Sequence, residues 1–241
     1  MMKEAIRQYE QTHSIEHFCP RCVLFDMDGV LYNSMPNHAV AWQEAMRQFG
    51  LHFTTADAYA TEGARGVDTI RLYVRRQLNK DITIDEAQRI YDVKTSLFHD
   101  MKVAEIFPGV RNLMQQIKDA GMTIGVVTGS GQRPLIKRLL NDFGDFLTED
   151  HIVTAYDVEH GKPAPDPYLM GLRKTGNNLP SQGIVVENAP LGVRAGVVAG
   201  CFTIGVNTGP LPDTALSNEG AHIVLPSIEM LGSRFKEIIG Q

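Results

Sequence analysis

The chain has 241 residues, with 23 Lys or Arg against 28 Asp or Glu, which gives a formal charge of −5. This mildly acidic balance, without a basic run, argues against nucleic acid or a membrane surface as a partner. Hydrophobic residues form 43% of the chain, as in globular proteins. No stretch reaches the roughly 18 apolar residues that a membrane span needs, and the charged start does not resemble a signal peptide. We therefore expect a cytoplasmic protein.

The first predicted element is an amphipathic helix over residues 1–18, which carries Ile6, Tyr9 and His13 on one side. Cys19 then begins a C-x-x-C pair whose second cysteine opens an apolar run. A redox motif would instead open a helix, and a zinc site would need a second pair of ligands, so the sequence favours neither.

Six short apolar runs of β-rich composition predict buried parallel strands. They lie at residues 22–25, 123–127, 151–154, 183–186, 202–206 and 222–225. Segments with apolar residues at helical spacing lie between the later runs. This alternation predicts an α/β fold with a doubly wound, Rossmann-like parallel sheet.

The stretch between the first two strands contains no convincing strand pair and predicts helices. These are expected at 39–49, 68–78 and 85–98, the last two with Asp68 and Asp85 as N-caps. An insert of this size can form a small domain of its own. The predicted domains are an N-terminal extension (1–18), a core (19–32 and 107–241) and an inserted helical domain (33–106).

Acidic residues follow two of the predicted strands, at the edge of the sheet where parallel α/β folds bind ligands. Asp26 and Asp28 are two residues apart in an extended chain end, which suits a nucleophile with a proton donor, or a divalent-ion site. Turn-forming acids explain the pair equally well. Glu187 is either an N-terminal helix carboxylate or a ligand for a hard cation, and alone it favours helix capping.

Two further strand ends carry groups that can bind an anion. Thr128, Gly129 and Ser130 can present hydroxyls and backbone N–H groups at the start of a helix, although a plain N-cap also explains them. Lys162 lies in a proline-rich entry to a helix. That stiffness suits an ammonium aimed at a phosphate or carboxylate, against the alternative of a solvated loop lysine.

The four motifs in this order resemble the haloacid dehalogenase (HAD) superfamily of phosphotransferases. The chain has D-x-D-G, then a hydroxyl, then K-P, then an acidic position, each after a successive strand. The helical insert looks like that superfamily's type 1 cap. The sequences at 37–42 and 161–166 are similar to the β-phosphoglucomutase-like branch.

This resemblance implies a mechanism and a cofactor. Asp26 would attack phosphorus to form an aspartyl phosphate, and Asp28 would protonate the leaving oxygen and later deprotonate the acceptor. Asp26 would then be ionised and Asp28 protonated at the attack step. Mg²⁺ would be bound by Asp26, the backbone carbonyl of Asp28 and the acidic position formed by Glu187 and Asn188.

The resemblance also assigns the binding of the phosphoryl oxygens. Thr128, the Gly129 N–H and Lys162 would hold them, with Ser130 beside them. The partner implied is a small phosphorylated metabolite. The oligomeric state is left open, and a monomer is compatible with the chain.

Asn188 departs from the family pattern, which usually has a second acid at this position. A neutral amide attracts a hard cation less than a carboxylate does. We therefore expect Asn188→Asp to tighten Mg²⁺ binding and, through like-charge repulsion, to weaken phosphate binding.

The cap is expected to choose the substrate, because it closes over the core. His38 and Trp42 share one face of its first helix, and His38 matches a histidine that helps to close the mutase site, although a surface histidine is equally compatible. Lys94 matches a mutase lysine, against a solvated helix lysine, which the sequence slightly favours.

The loop at residues 62–66, which we call the cap loop, distinguishes the two candidate reactions, that of a phosphatase and that of a mutase. True β-phosphoglucomutases carry K-G-x-x-R here, whereas this chain has Glu62 at the lysine position and Gly66 at the arginine position, with Arg65 one step away. A mutase must hold two phosphates and a phosphatase one. The sequence thus favours a Mg²⁺-dependent sugar-phosphate phosphatase, with β-phosphoglucomutase as the alternative and a catalytically weak metabolite-binding protein less favoured.

Overall fold

The computed structural model describes residues 2–131, 133–177 and 179–240. Its centre is a six-stranded, all-parallel sheet with the strand order β3-β2-β1-β4-β5-β6. The strands are β1 (Cys22–Phe25), β2 (Thr123–Val127), β3 (Ile152–Val153), β4 (Gly183–Glu187), β5 (Phe202–Val206) and β6 (Ile223–Leu225). The predicted doubly wound α/β fold is therefore confirmed, with β3 shorter than expected.

Eleven α-helices accompany the sheet within the described residues. They are α1 (Met2–Thr12), α2 (Met35–Gln48), α3 (Thr55–Ala60), α4 (Gly66–Leu78), α5 (Ile84–His99), α6 (Val110–Asp119), α7 (Arg133–Phe143), α8 (Asp166–Lys174), α9 (Pro190–Val198), α10 (Thr214–Ser217) and α11 (Ile228–Ile238). None of them is long and apolar enough to cross a membrane.

Helices α2 to α5 pack around a hydrophobic core of their own, which contains Trp42, Met46, Phe53 and Ile70. The chain leaves and re-enters the core beside Tyr32, which forms an antiparallel bridge with Ile106. We call the segment between these crossings the cap. The exact domain boundaries given above remain a prediction.

Three predicted helix starts in the cap are wrong. Helix α2 begins at Met35, four residues before the predicted start at 39. Helix α5 begins after Thr83, whose hydroxyl and the Glu86 carboxylate form a reciprocal capping box, and Asp85 lies in the first turn. Helix α4 begins after Arg65, which places Asp68 in the first turn. Acidic side chains are favourable in the first turn of a helix as well as at its N-cap position, because the helix N-terminus is partly positive.

The N-terminal helix ends earlier than predicted, at Thr12, and packs on the core. Tyr9 is buried, its hydroxyl donates to Gly200 O at 2.7 Å, and its ring meets Phe202 edge-on. Ile6 packs against the same core. The extension is thus an integral part of the core.

Candidate active site

The catalytic candidates meet because the central strands end in register. Phe25 pairs with both Val126 and Val186, so the residues that follow β1, β2 and β4 share one edge of the sheet. There the core and the cap enclose a cavity of about 670 Å³, counted to its open mouth. Of the predicted site residues it is lined by Asp26, Asp28, His38, Lys94, Thr128, Gly129 and Ser130.

Lys162 lies beneath this cavity and joins two strand ends. Its fully buried ammonium donates to Asp26 Oδ1 at 2.5 Å, to Glu187 Oε1 at 2.7 Å and to Val127 O at 3.1 Å. Burial opposes its charge, but the two carboxylates outweigh burial and raise the pKa of Lys162. Burial raises the pKa of Asp26 to about 8, since the single ammonium is shared with Glu187.

Both oxygens of the Glu187 carboxylate accept hydrogen bonds from protein groups. Its Oε1 accepts from Lys162 and, at 2.7 Å, from the Tyr168 hydroxyl, while its Oε2 accepts from the N–H groups of Asn188 and Ala189 at the start of α9. Glu187 therefore fixes the turn that leads into α9 and orients Lys162, while α9 itself has no side-chain cap. A direct metal contact would have to compete with these four hydrogen bonds.

Asp28 contacts two polar side chains at the core–cap junction. The Ser34 hydroxyl donates to Asp28 Oδ1 at 2.6 Å, and His38 Nε2 lies 3.2 Å from the same oxygen without hydrogen-bond geometry. Burial alone would raise the pKa of Asp28, but His38 and Ser34 outweigh it and lower the pKa to about 2. These contacts favour the ionised form of Asp28, whereas the implied mechanism needs this carboxyl group protonated at the attack step.

Lys94 is buried, so the favoured expectation of a solvated helix lysine is wrong. Its ammonium lies 2.7 Å from His38 Nδ1 and within 6 Å of the rings of Trp42, Tyr91 and Phe98. Because an ammonium can only donate, His38 Nδ1 accepts and the ring proton sits on Nε2, facing Asp28. Burial lowers the pKa of Lys94 to about 8, against the effect of Asp28.

The turn after β2 forms the wall opposite Asp28. Thr128 is buried, and its hydroxyl accepts from the Ser130 N–H at 3.1 Å. A Cβ on Gly129 would lie 3.4 Å from Gly63 O in the cap loop. The cap loop therefore closes directly onto the turn that is predicted to hold phosphoryl oxygens.

The two charged residues of the cap loop point to different places. Glu62 lines the main cavity and accepts a hydrogen bond from Asn188 Nδ2 at 2.8 Å. Burial and the nearby carboxylates of Asp26 and Glu187 raise the pKa of Glu62 well above its ordinary value. Arg65 pairs with Asp68 at 2.7 Å and lines a smaller neighbouring cavity, which it shares with Lys162.

Several contributors to the site carry no motif in the sequence. Ser34 reads as a helix-capping residue, and Tyr168 reads as an apolar position of α8, yet they orient Asp28 and Glu187. Their roles depend on strand ends meeting in space. A hydroxyl within reach of an acidic motif is the only signal that could have suggested Ser34.

Oxygen atoms that could bind a hard cation lie beside the backbone that follows β1 and β4. Asn188 is 6% exposed and its Oδ1 is buried without a hydrogen-bond partner among the described residues. A Cβ on Gly29 would overlap this amide, so the unpaired oxygen lies beside the backbone that follows Asp28. The described residues contain no group of three or more His, Cys, Asp or Glu side chains arranged to hold a metal. The oxygens of Asp26 and Asn188 nevertheless fit Mg²⁺ when backbone and ligand oxygens complete the shell.

The fold and this site define a hydrolase class: the chain belongs to the haloacid dehalogenase-like hydrolase family, whose model matches residues 20–200. Among curated relatives, it is 32% identical to hexitol phosphatase A of Escherichia coli (strain K12), over 86% of this chain and 91% of the relative. It is 27% identical to the beta-phosphoglucomutase of Bacillus subtilis (strain 168), over 78% of this chain and 84% of that relative.

A solved structure resembles the whole chain. It is a protein from Bacteroides vulgatus, provisionally named a beta-phosphoglucomutase, with 45% identity and a TM-score of 0.94 over 99% of this chain and 97% of that chain. The predicted family and fold are thereby confirmed.

Proposed function

We propose that the protein is a Mg²⁺-dependent phosphatase that removes phosphate from a small sugar or polyol phosphate through an aspartyl-phosphate intermediate. The observation that carries this proposal is the buried Asp26–Lys162–Glu187 triad at the floor of the cavity between the core and the cap. The similarity to hexitol phosphatase A supports a polyol or sugar substrate.

In the first step an Asp26 carboxylate oxygen forms a bond to phosphorus while the bond from phosphorus to the substrate oxygen breaks. Asp28 gives its proton to the departing alcohol. In the second step water attacks the aspartyl phosphate, Asp28 takes a proton from it, and inorganic phosphate leaves.

The bound phosphate favours a protonated Asp28 before the first step, because it brings a like charge close to that carboxylate. Lys162 positions Asp26 and neutralises charge, and Thr128 with the Gly129 N–H holds phosphoryl oxygens. Mg²⁺, held by Asp26, the Asp28 carbonyl and Asn188, would neutralise further charge in the transition state.

The choice of a phosphatase over a mutase rests on the cap loop. Glu62 occupies the cavity with a carboxylate, and Arg65 is engaged by Asp68 beside a different cavity. A second phosphate would meet the Glu62 carboxyl group at the position where a mutase needs a cation. One observation favours the mutase: Lys94 is a second buried cation that lines the same cavity.

Phosphate release from a panel of hexitol and hexose phosphates, with Mg²⁺ and with EDTA, tests the proposal. We expect Asp26→Asn to abolish turnover, and the matched exposed-surface variant Asp119→Asn to retain it. Turnover of β-glucose 1-phosphate that requires a bisphosphate primer and releases little phosphate would establish the mutase instead. Activity retained by Asp26→Asn would remove the aspartyl-phosphate mechanism.

A further inference from the structure

Two unpaired buried oxygens lie at one contact between the cap and the core. Asn188 Nδ2 donates to Glu62 Oε2 at 2.8 Å, which leaves Glu62 Oε1 and Asn188 Oδ1. Both remaining oxygens are buried and have no hydrogen-bond partner in the part of the chain that the structure describes. A buried polar atom without a partner costs roughly 1–3 kcal/mol. Two such oxygens on joined residues can be satisfied by one electron-pair acceptor between them, either a proton on Glu62 or a cation.

The charges around this contact point to the same conclusion. The carboxylates of Asp26 and Glu187 act on Glu62 as like charges, and within the described residues both contact the ammonium of Lys162. Ionising all three carboxylates beside this one ammonium would give a formal charge of −2. Lys94 lies at His38, beside Asp28, so it does not serve this group. A single divalent cation would neutralise it.

The cap loop packs closely against the core next to Glu62. The neighbouring Gly63 has a φ of +84°, and a Cβ there would lie 3.2 Å from the Lys162 side chain. Only glycine allows so close an approach in this backbone conformation. The loop therefore places the Glu62 carboxylate over Asn188 when the cap is closed.

We propose that Glu62 is a ligand for the divalent cation, supplied by the cap, and that it provides the negative charge that Asn188 lacks. The cation would be shared between Glu62, Asn188 Oδ1 and Asp26, so that binding it fastens the cap to the core. This inference rests on the proposed function for the presence of a cation here. It adds that metal binding and cap closure are one coupled event.

Binding of Mg²⁺ alone, without substrate, tests the inference by calorimetry. The wild type is compared with Glu62→Gln and with Glu105→Gln, a matched change at an exposed glutamate. We expect Glu62→Gln to weaken Mg²⁺ binding by at least about tenfold, equivalent to about 1.4 kcal/mol, and Glu105→Gln to leave it unchanged. The melting temperature of each variant in EDTA checks that it is folded. Glu62→Asp, which keeps the carboxylate on a shorter side chain, provides a second variant at this position.

Trp42 provides an independent readout of the cap. It is the single tryptophan of the chain and lines the same cavity as Glu62. Mg²⁺ should change its fluorescence in the wild type but not in Glu62→Gln. Adding Asn188→Asp to Glu62→Gln should restore Mg²⁺ affinity without restoring the fluorescence change.

The outcomes separate this inference from the proposed function. If Glu62→Gln binds Mg²⁺ as tightly as the wild type, Glu62 is a neutral hydrogen-bonding group and the inference is overturned, while Mg²⁺-dependent phosphatase activity would still stand. If the wild type binds no Mg²⁺ yet turns over phosphate in EDTA, both the inference and the metal dependence fail.

Discussion

Replacing Lys162 by Met should destabilise the protein strongly and in a pH-dependent way. The substitution keeps an unbranched side chain as far as the ε position but removes the ammonium that lies 2.5 Å from Asp26 and 2.7 Å from Glu187. Breaking a buried ion pair by removing one partner costs about 3–5 kcal/mol, because the other charge stays buried. We expect a loss of this size in the free energy of unfolding at pH 8.

The sign of the pH dependence follows from the carboxylate of Asp26. Burial already raises its pKa to about 8, and without Lys162 this pKa rises further above the unfolded value near 4. The folded variant therefore binds more protons than the unfolded chain at neutral pH. Its stability therefore falls as pH rises, and the deficit relative to wild type should be smaller at pH 5.5 than at pH 8.

Urea unfolding followed by far-ultraviolet circular dichroism, at both pH values, measures this difference. Lys102→Met removes an exposed ammonium that pairs only with exposed Glu105, and should change stability by less than about 0.5 kcal/mol. A deficit below about 1 kcal/mol for Lys162→Met at pH 8, or an equal deficit at both values, would refute the charge balance assigned to the site.

Two further predictions concern the core. Gly192→Ala places a Cβ 1.7 Å from Glu187 Oε1 and should lower both the melting temperature and activity. The control Gly232→Ala is also in a helix, but its Cβ meets its nearest atom at 3.7 Å, so it should be neutral or stabilising by up to about 1 kcal/mol. Equal effects of the two substitutions would contradict this steric reasoning. Burial lowers the pKa of His222 to about 4, and its Nδ1 accepts from the Thr203 N–H. The unfolded chain binds this proton first, so the contribution of His222 to stability should fall by about 1–2 kcal/mol from pH 7 to pH 5. The wild type should therefore lose about this much stability relative to His222→Asn over that range, and an identical pH dependence in both proteins would exclude His222.

The sheet was predictable because its signal is local. Each buried parallel strand is a short apolar run, and all six observed strands lie within one residue of their predicted bounds at either end. Only β3 is shortened at both ends, because only Ile152 and Val153 form ladder pairs with β2. Edge position, which depends on the order of strands in space, decides how much of an apolar run is paired.

The site residues were predictable as a set, but their pairings were not. The sequence leaves Glu187 open between helix capping and metal binding, and in the structure it holds the backbone turn before α9 and contacts Lys162. Likewise Lys94 is a plausible solvated residue on an isolated α5, and its burial arises from α2, which brings His38 and Trp42 against it. Such contacts depend on tertiary packing, which periodicity does not encode.

Glu62 shows why charge must be counted in three dimensions. In the sequence it is a departure from a family motif, and Asn188, 126 positions further on, is another. Each change alone weakens a function: the first removes a cation for phosphate and the second a carboxylate for metal. Because the closed cap joins them at 2.8 Å, the two changes offset each other in charge within one site. A chain with either change alone would lack this balance, so exchanging the pair together should preserve metal affinity better than exchanging either residue singly.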